Sequence, residues 1–558
     1  MGDVDGGFAL GHLLDGEMQR RGRCAAARAG AFELSPHPRR VAADLRRLQR
    51  RRWKRSGPGE IVSANGAPLE RTRRAWPWIV ATVAIAIALR LPTIGRESLW
   101  LDEAISYVTA TLPVARIVDN TVQSSHPPLY YLLLHAWLKV VPRTDGAARL
   151  LSAGWNVLLV PAIYWLSTEL GSSCRRGLYA ALLVAVSPFQ ILYSQELRMY
   201  TQLMLLVTVG TAAYLRARQS GGTAWWLAFG GAYLAAVYTH LFAFLALGAL
   251  GLHALLRHRN RVALINTAVV AAAVTVLFSP WVGVLWRETQ RGTGSMLPLN
   301  DAPTARLTKP LTATAFLVFG VSTTLPYTGF ALFAVLSTAI VLPLAARKRR
   351  QRGEPTELAL PGLMVGCVLG IPVAAYWIRP FLLTDRVMAA ASPFLLLLVA
   401  WGLDERESPL PYIAYAVAAA LVGGCVLYMA GDRIKPAYRE AVGLVAQQRV
   451  EAEAVVYTSE GSYIPGLRYA DGPGHVLLEG DPDPRKPRGM YEQVGGEVWS
   501  LRQVEEARGR LWLVVALDHA VDRQMAQVER IASRRRLLRS YSVEGIQVML
   551  YSPVTETE

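Results

Sequence analysis

The strongest constraint on this chain is a series of apolar segments about 16 to 22 residues long, close to what a helix needs to cross the hydrocarbon core of a bilayer. About eleven can be placed, near 76–92, 149–170, 178–194, 200–216, 224–240, 241–256, 262–283, 328–346, 358–378, 387–403 and 410–430. Charge gives an independent test of this register. Arg175 with Arg176, Arg216 with Arg218, the cluster from Arg257 to Arg261, and the run from Arg347 to Arg352 all fall on the side of the N-terminal tail. Basic residues concentrate in this way in cytoplasmic loops. An odd number of spans then carries residues 431–558 to the face opposite the N-terminus.

Composition agrees with a polytopic α-helical membrane protein, since 52% of residues are hydrophobic and only 18% charged. The formal net charge of +17 would point to nucleic acid in a soluble protein. Here the cations sit in short stretches between apolar runs, where they orient helices, so nucleic acid is set aside as a partner. The cysteines Cys24, Cys174, Cys367 and Cys425 form no paired motif, hence neither a disulfide framework nor a zinc signature is read. Residues 1–75 are polar and Arg-rich, and nothing in them reads as a signal peptide. They are expected to form a disordered cytoplasmic tail held near anionic lipid by charge.

Residues 76–430 form the expected transmembrane domain, with a first outer loop at 93–148. Residues 431–558 read as a small extracytoplasmic α/β domain. A helical run from Pro436 to Arg449 precedes strand-like stretches at Ala454 to Thr458, His475 to Leu478, Leu511 to Leu517 and Gly545 to Tyr551, with a helix from Ala520 to Ile531 before the last. Two further apolar stretches, His126 to Val141 and Ala305 to Leu325, are read as helices lying on the outer surface; either one crossing would reverse the C-terminal side.

With this topology the polar residues at span ends converge on the outer face. The first outer loop opens with Ser98-Leu-Trp-Leu-Asp-Glu103 and closes at His126-Pro-Pro128, and Arg149 begins the next span. Tyr193-Ser-Gln-Glu-Leu-Arg-Met-Tyr200 joins the third and fourth spans, Tyr238-Thr-His240 the fifth and sixth, and Thr384-Asp-Arg386 the ninth and tenth. Each has a bland reading. Adjacent acids such as Asp102 and Glu103 often cap a helix, His126 before two prolines serves a turn, and Arg198 and Arg386 can snorkel to headgroups. Their repetition at one depth points instead to a site for an amphiphile with an anionic head, whose phosphate pairs with Arg while its tail lies between helices.

The ordered motifs Leu99-Trp-Leu-Asp-Glu103, His126-Pro-Pro-Leu-Tyr-Tyr131 and Tyr193 to Tyr200 resemble those of bacterial GT-C glycosyltransferases of family 39, the group related to protein O-mannosyltransferases and lipid A aminoarabinose transferases. The likeness covers roughly residues 76–405. It implies a multi-pass inner-membrane enzyme that moves a sugar, a mannose-like hexose or a pentose, from a polyprenyl-phosphate donor to an acceptor hydroxyl on the outer face, with inversion. The acceptor is a glycan, lipid or protein of the cell envelope. On this resemblance Asp102 is the preferred general base and Glu103 the second candidate or the group that positions it. His126, Arg149, Arg198 and Arg386 are the donor-phosphate contacts, and Tyr107, Tyr130, Glu196, Tyr200 and His240 line the site. An acid pair can also help hold a divalent ion. The need for a metal stays open, no metal ligand is assigned, and no other cofactor is implied.

Two other classes compete. A lipid-sugar flippase or transporter would also bury charges among helices, but its expected signs are internal repeats and charges near the bilayer midplane, and neither is found. An envelope-assembly partner without activity would use the C-terminal domain for binding. Retained function after loss of the acid pair would favour that reading.

Overall fold

The computed structural model describes residues 67–123, 126–257, 260–291, 359–376, 389–404, 410–430, 435–451, 453–479, 496–517 and 522–553. The outer-loop stretch Ala305 to Leu325, the expected span at 328–346 and the Thr384-Asp-Arg386 element lie outside them.

A helical bundle comes first. Helix α1 (Ala67–Arg90) leads into three short helices, α2 (Leu101–Thr111), α3 (Val114–Gln123) and α4 (Leu129–Leu138), and then into the long α5 (Asp145–Glu169). Helix α4 has 10 residues, about 15 Å of rise, too short to cross a bilayer. One side of it packs inward through Tyr130, Tyr131 and Leu134, while Ala136 is exposed. The bundle continues with α6 (Cys174–Val186), α7 (Pro188–Ser194), α8 (Tyr200–Ser220), α9 (Thr223–Thr239), α10 (Ala243–Leu256), α11 (Arg261–Arg291), α12 (Ala359–Tyr376), α13 (Ser392–Leu403) and α14 (Leu410–Ala430).

Burial sorts these helices. Helix α8 is covered along nearly its whole length, so it runs through the middle of the bundle. Helix α11 instead exposes Val262, Ile265, Val269, Val276 and Leu277. An apolar helix whose outward face is apolar too suits lipid rather than water. By length and composition, two helices among the described residues qualify as membrane spans, Asp145–Glu169 and Arg261–Val284. The sequence predicts one span at 178–194, whereas the chain bends by 56° between α6 and α7. Pro188 is the cause: it has no N–H to continue the helix, and the Ser187 side chain caps the new start by accepting from the Gln190 N–H. Counted as one span, the bent pair brings the number to three.

Inside the bundle, Arg90 is completely buried and spends its donors on Asn156 Oδ1 and the carbonyls of Ala86, Val184 and Ala185. Asn156 then donates to Gln190 at 2.6 Å, and Gln190 to Ser392 at 2.8 Å. This relay ties α1, α5, α7 and α13 together with every donor named here matched to an acceptor, which is the condition for a buried polar network to hold rather than weaken a fold.

The C-terminal layer follows as α15 (Tyr438–Gln448), β1 (Ala454–Tyr457), α16 (Glu460–Leu467), β2 (His475–Leu478), β3 (Glu497–Trp499), α17 (Leu501–Glu506), β4 (Leu511–Ala516), α18 (Asp522–Arg534), β5 (Leu537–Val543) and β6 (Ile546–Tyr551). The sheet has six strands in the order β3-β2-β1-β4-β6-β5. Strands β3, β2, β1 and β4 run parallel, while β6 is antiparallel to both β4 and β5. Alternation puts Val455, Tyr457, Trp512 and Val514 on the face covered by α15 and α16, and Val456, Leu511, Leu513 and Val515 on the face covered by α17 and α18. Burial on both faces explains why β1 and β4 read as continuous apolar runs. The β5–β6 turn has Glu544 at φ 29° and Gly545 at φ 84°, the left-handed pair that a tight hairpin needs.

Candidate active site

Helix α2 begins at Leu101, so Asp102 and Glu103 occupy its first turn, where carboxylates complement the positive end of the helix dipole. Neighbours on a helix point about 100° apart, and here the two acids meet different surroundings.

Glu103 is fully buried and saturated. Both its oxygens accept from Arg149, Oε1 from Nε and Oε2 from Nη2, each at 2.8 Å. Lys435 Nζ lies 3.0 Å from Oε2, and the Leu197 N–H donates to Oε1 at 2.8 Å. Burial alone would push this carboxyl up. The Arg149 and Lys435 charges and the hydrogen bonds outweigh it and hold Glu103 at about 2.

Arg149 is committed in the same way. Besides Glu103 it donates to the carbonyls of Ile94, Glu97 and Ser98, so all five of its N–H groups have protein acceptors. It has no donor left for a phosphate. The expected phosphate contact is, in this structure, the clamp that shapes the loop from Ile94 to Glu103.

Asp102, partly exposed, faces away from the Arg149 clamp by that angle. Its carbonyl accepts from Ser106 Oγ at 2.9 Å and from Arg198 Nη1 at 3.4 Å, and Arg198 Nη1 also reaches Ser106 Oγ at 3.2 Å. The Asp102 charge bears on both Arg198 and Tyr131. Arg198 is 5% exposed, its guanidinium sits 5.8 Å from the centre of the Tyr200 ring, and its Nε has no acceptor among the described residues. Tyr200 stacks edge-on against Tyr193 at 5.0 Å and faces His240 at 6.1 Å. His240 is within electrostatic reach of both His126 and Arg198.

Asp102, Arg198, Tyr200, His126 and His240 thus share one locality. Glu196, in the same turn as Arg198, is buried. Tyr130 is fully buried against Ser152 at 3.2 Å, and Ser152 in turn donates to the Arg198 carbonyl, so Tyr130 supports the turn from below. Tyr107 lies on the Glu103 side of α2, under the Arg468 guanidinium at 4.6 Å. Arg386 lies outside the described residues.

Sequence reasoning missed the residues that hold this site in place. Ser106 and Tyr131 stood inside or beside the quoted motifs, but serine and tyrosine at span ends carry no signal of their own. Gln195 ties its turn to the Arg90 carbonyl at 2.8 Å and to Thr93 at 2.7 Å, and accepts from Tyr428 at 2.9 Å. Asp145 gathers Arg439 at 2.5 Å, Arg468 at 3.2 Å and the Tyr469 hydroxyl at 2.6 Å from the C-terminal layer. Burial and the Asp145 carboxylate keep the Tyr469 phenol above its ordinary range, so it remains a donor. Lys435 follows the last apolar helix, where a cation reads as an ordinary flanking charge.

No group of three or more His, Cys, Asp or Glu side chains is assembled among the described residues. Both oxygens of Glu103 are already engaged, so the acid pair does not fit a divalent ion and no metal ligand is assigned.

Compared with solved structures, the chain is similar to ArnT from Cupriavidus metallidurans bound to undecaprenyl phosphate, at 13% identity and a TM-score of 0.51, over 85% of this chain and 98% of that one. The fold is GT-C. The archaeal oligosaccharyltransferase AglB from Archaeoglobus fulgidus, in complex with an inhibitory peptide and a dolichol-phosphate, is also similar, at 12% identity and a TM-score of 0.47, over 87% of this chain and 75% of that one. No family model and no curated protein sequence matches. The GT-C fold agrees with the motif resemblance.

Proposed function

We propose that this protein is a multi-pass glycosyltransferase of the inner membrane. It moves a sugar from a polyprenyl-phosphate donor to an acceptor hydroxyl on the outer face, with its N-terminus cytoplasmic. The observation that carries the reading is a buried guanidinium, Arg198, whose Nε has no acceptor among the described residues, beside a partly exposed carboxylate, Asp102. The similar ArnT structure is bound to undecaprenyl phosphate, a ligand whose head would need such a cation.

In the proposed step Asp102 takes the proton of the acceptor hydroxyl as that oxygen bonds to the anomeric carbon. The bond from that carbon to the phosphate oxygen breaks on the opposite side, and polyprenyl phosphate leaves with the electron pair. Inversion follows from the direct displacement. The leaving phosphate gains negative charge as the bond breaks, so a fixed cation stabilises the transition state more than the bound donor. Arg198 supplies it, with His126 and Arg386 as further contacts and Glu196, Tyr200 and His240 lining the site. A mannose-like hexose or a pentose is the donor sugar, and an envelope glycan, lipid or protein is the acceptor. Glu103 is assigned to holding α2 rather than to proton transfer, because every oxygen it has is occupied by cations and an N–H.

The test is sugar transfer or release from a labelled polyprenyl-phosphate sugar by purified protein in lipid, at equal folded amounts of wild type and Asp102→Asn. Loss of turnover in the variant supports the assignment. Equal turnover removes Asp102 from the mechanism, and lipid-sugar movement between leaflets without transfer across several donors replaces the enzyme with a flippase.

A further inference from the structure

The C-terminal layer does more than rest on the bundle. Lys435, just before α15, is 8% exposed and sends its ammonium into the bundle, to Glu103 Oε2 at 3.0 Å and to the Gln195 carbonyl at 3.3 Å. Each acceptor belongs to a segment that carries a group assigned to catalysis. Glu103 neighbours Asp102 on α2, and Gln195 begins the turn that carries Arg198.

The backbone of that turn is fixed at several points. The Gln195 carbonyl accepts from Lys435, the Leu197 N–H donates to Glu103, and the Arg198 carbonyl accepts from Ser152. The Gln195 side chain is held by the Arg90 carbonyl, Thr93 and Tyr428. Lys435 is the one member of this set that comes from beyond α14. It is also the second cation that a completely buried glutamate faces. Without Lys435, Glu103 keeps Arg149, but its Oε2 and the Gln195 carbonyl each lose a donor, and acceptors left short in a buried place drive the surroundings to rearrange. Here the surroundings are the Arg198 turn and the first turn of α2.

We infer that Lys435 is a positioning residue of the transfer site: through Glu103 and the Gln195 carbonyl, the C-terminal layer sets Arg198 against Asp102. This rests on the glycosyltransferase reading for its kinetic consequence, though not for its structural one. The layer is then an integral part of the site, and its first residues complete it.

The experiment uses the full chain in lipid, with Lys435→Met, which keeps the length of the side chain without its charge, and Lys435→Arg, which restores a cation. Two readouts are taken. Hydrogen exchange of the Gln195–Met199 segment is independent of any chemistry. The expected result is faster exchange of the Leu197 amide in Lys435→Met and wild-type protection in Lys435→Arg. Initial rates with the labelled lipid-linked sugar are expected to show kcat per folded enzyme reduced about 10- to 100-fold in Lys435→Met, with KM within about threefold, and substantial recovery in Lys435→Arg; small misplacements of a catalytic group act on kcat at this scale. Unchanged exchange in Lys435→Met, or a kcat equal to wild type, would overturn the inference. Should Lys435→Met not fold, Lys435→Gln takes its place under the same two readouts: faster exchange of the Leu197 amide with a lowered kcat would uphold the inference, and wild-type exchange or wild-type kcat would overturn it. A wild-type protein that transfers no sugar overturns the glycosyltransferase reading instead, while the exchange data still decide the coupling.

Discussion

Asp102 and Glu103 are adjacent, identical in charge type and opposite in circumstance. Truncating one partner of a buried pair costs about 3–5 kcal/mol, so Glu103→Gln is expected to lower the melting temperature strongly, as read by a thermal unfolding scan in detergent. Asp102→Asn should melt close to wild type and yet lose about 10²- to 10⁴-fold in turnover, the usual scale for a positioned general base. The reverse pattern, a stable Glu103→Gln and an unfolded Asp102→Asn, would exchange the two roles. The pH dependence has a definite sign. Glu103 is held at about 2 in the fold, against about 4.3 in an unfolded chain. A depressed carboxylate contributes stability that is fully present above the unfolded value and disappears as pH falls through the folded one. The contribution is on the order of 3 kcal/mol, lost between about pH 5 and pH 2. An acid titration of the melting temperature should therefore fall steeply in that window for wild type and more gently for Glu103→Gln. Parallel curves would show that the clamp carries no such weight.

Helix packing shows what periodicity can and cannot convey. Among the described residues apolar runs located the long helices of the bundle, because a hydrophobic run of that length has few other folded states, although α1 begins at Ala67 rather than 76, α11 runs on to Arg291 rather than 283, and the short α2 and α3 had no such run. They could not show the bend at Ser187-Pro188, where a cap and a missing N–H outweigh an otherwise continuous apolar pattern. Strands β1, β2, β4 and β6 were legible because buried sheets are built from apolar runs. Strand β5 was not: Leu537 and Leu538 are exposed and Arg539 interrupts the pattern, as suits an edge. Close approach between helices leaves no mark in the hydropathy either. Gly210 on α8 lies so near Tyr233 on α9 that an added Cβ would sit 2.7 Å from the ring. Tyr233 is fully buried and its hydroxyl meets Thr211 at 3.2 Å, so the ring has no room to yield. Gly210→Ala should therefore destabilise the bundle by about 1–3 kcal/mol, the cost of overpacking, despite alanine's better helix propensity. A melting point at or above wild type would mean that α8 and α9 can separate freely.

The whole molecule is constrained by contacts that join its two layers. Sequence motifs located the acids and the Arg198 turn, since charges beside apolar segments are conspicuous. They could not show that Glu103 answers to Lys435, because the partners stand far apart in the chain and a lysine after a span has an ordinary explanation. Those contacts decide a question that counting spans leaves open. Glu103 with Lys435, Asp145 with Arg439 and Arg468, and the Leu99 N–H with the Tyr469 hydroxyl all connect the loop after α1 to the C-terminal layer. The two must therefore lie on the same side of the membrane, whatever the number of helices between them. Arg116 on α3 and Arg508 after α17 are both exposed and suit a labelling test. In intact cells, with the native cysteines replaced, Arg116→Cys and Arg508→Cys should react together with a membrane-impermeant maleimide. Cys24 alone, restored in the same background, should react only after the membrane is opened if the N-terminus is cytoplasmic, as proposed from the distribution of basic residues. Labelling of one of the first two positions without the other would separate the layer from the acid pair and with it the basis for a shared site. Labelling of Cys24 together with both would leave that site intact and place it on the face of the N-terminal tail.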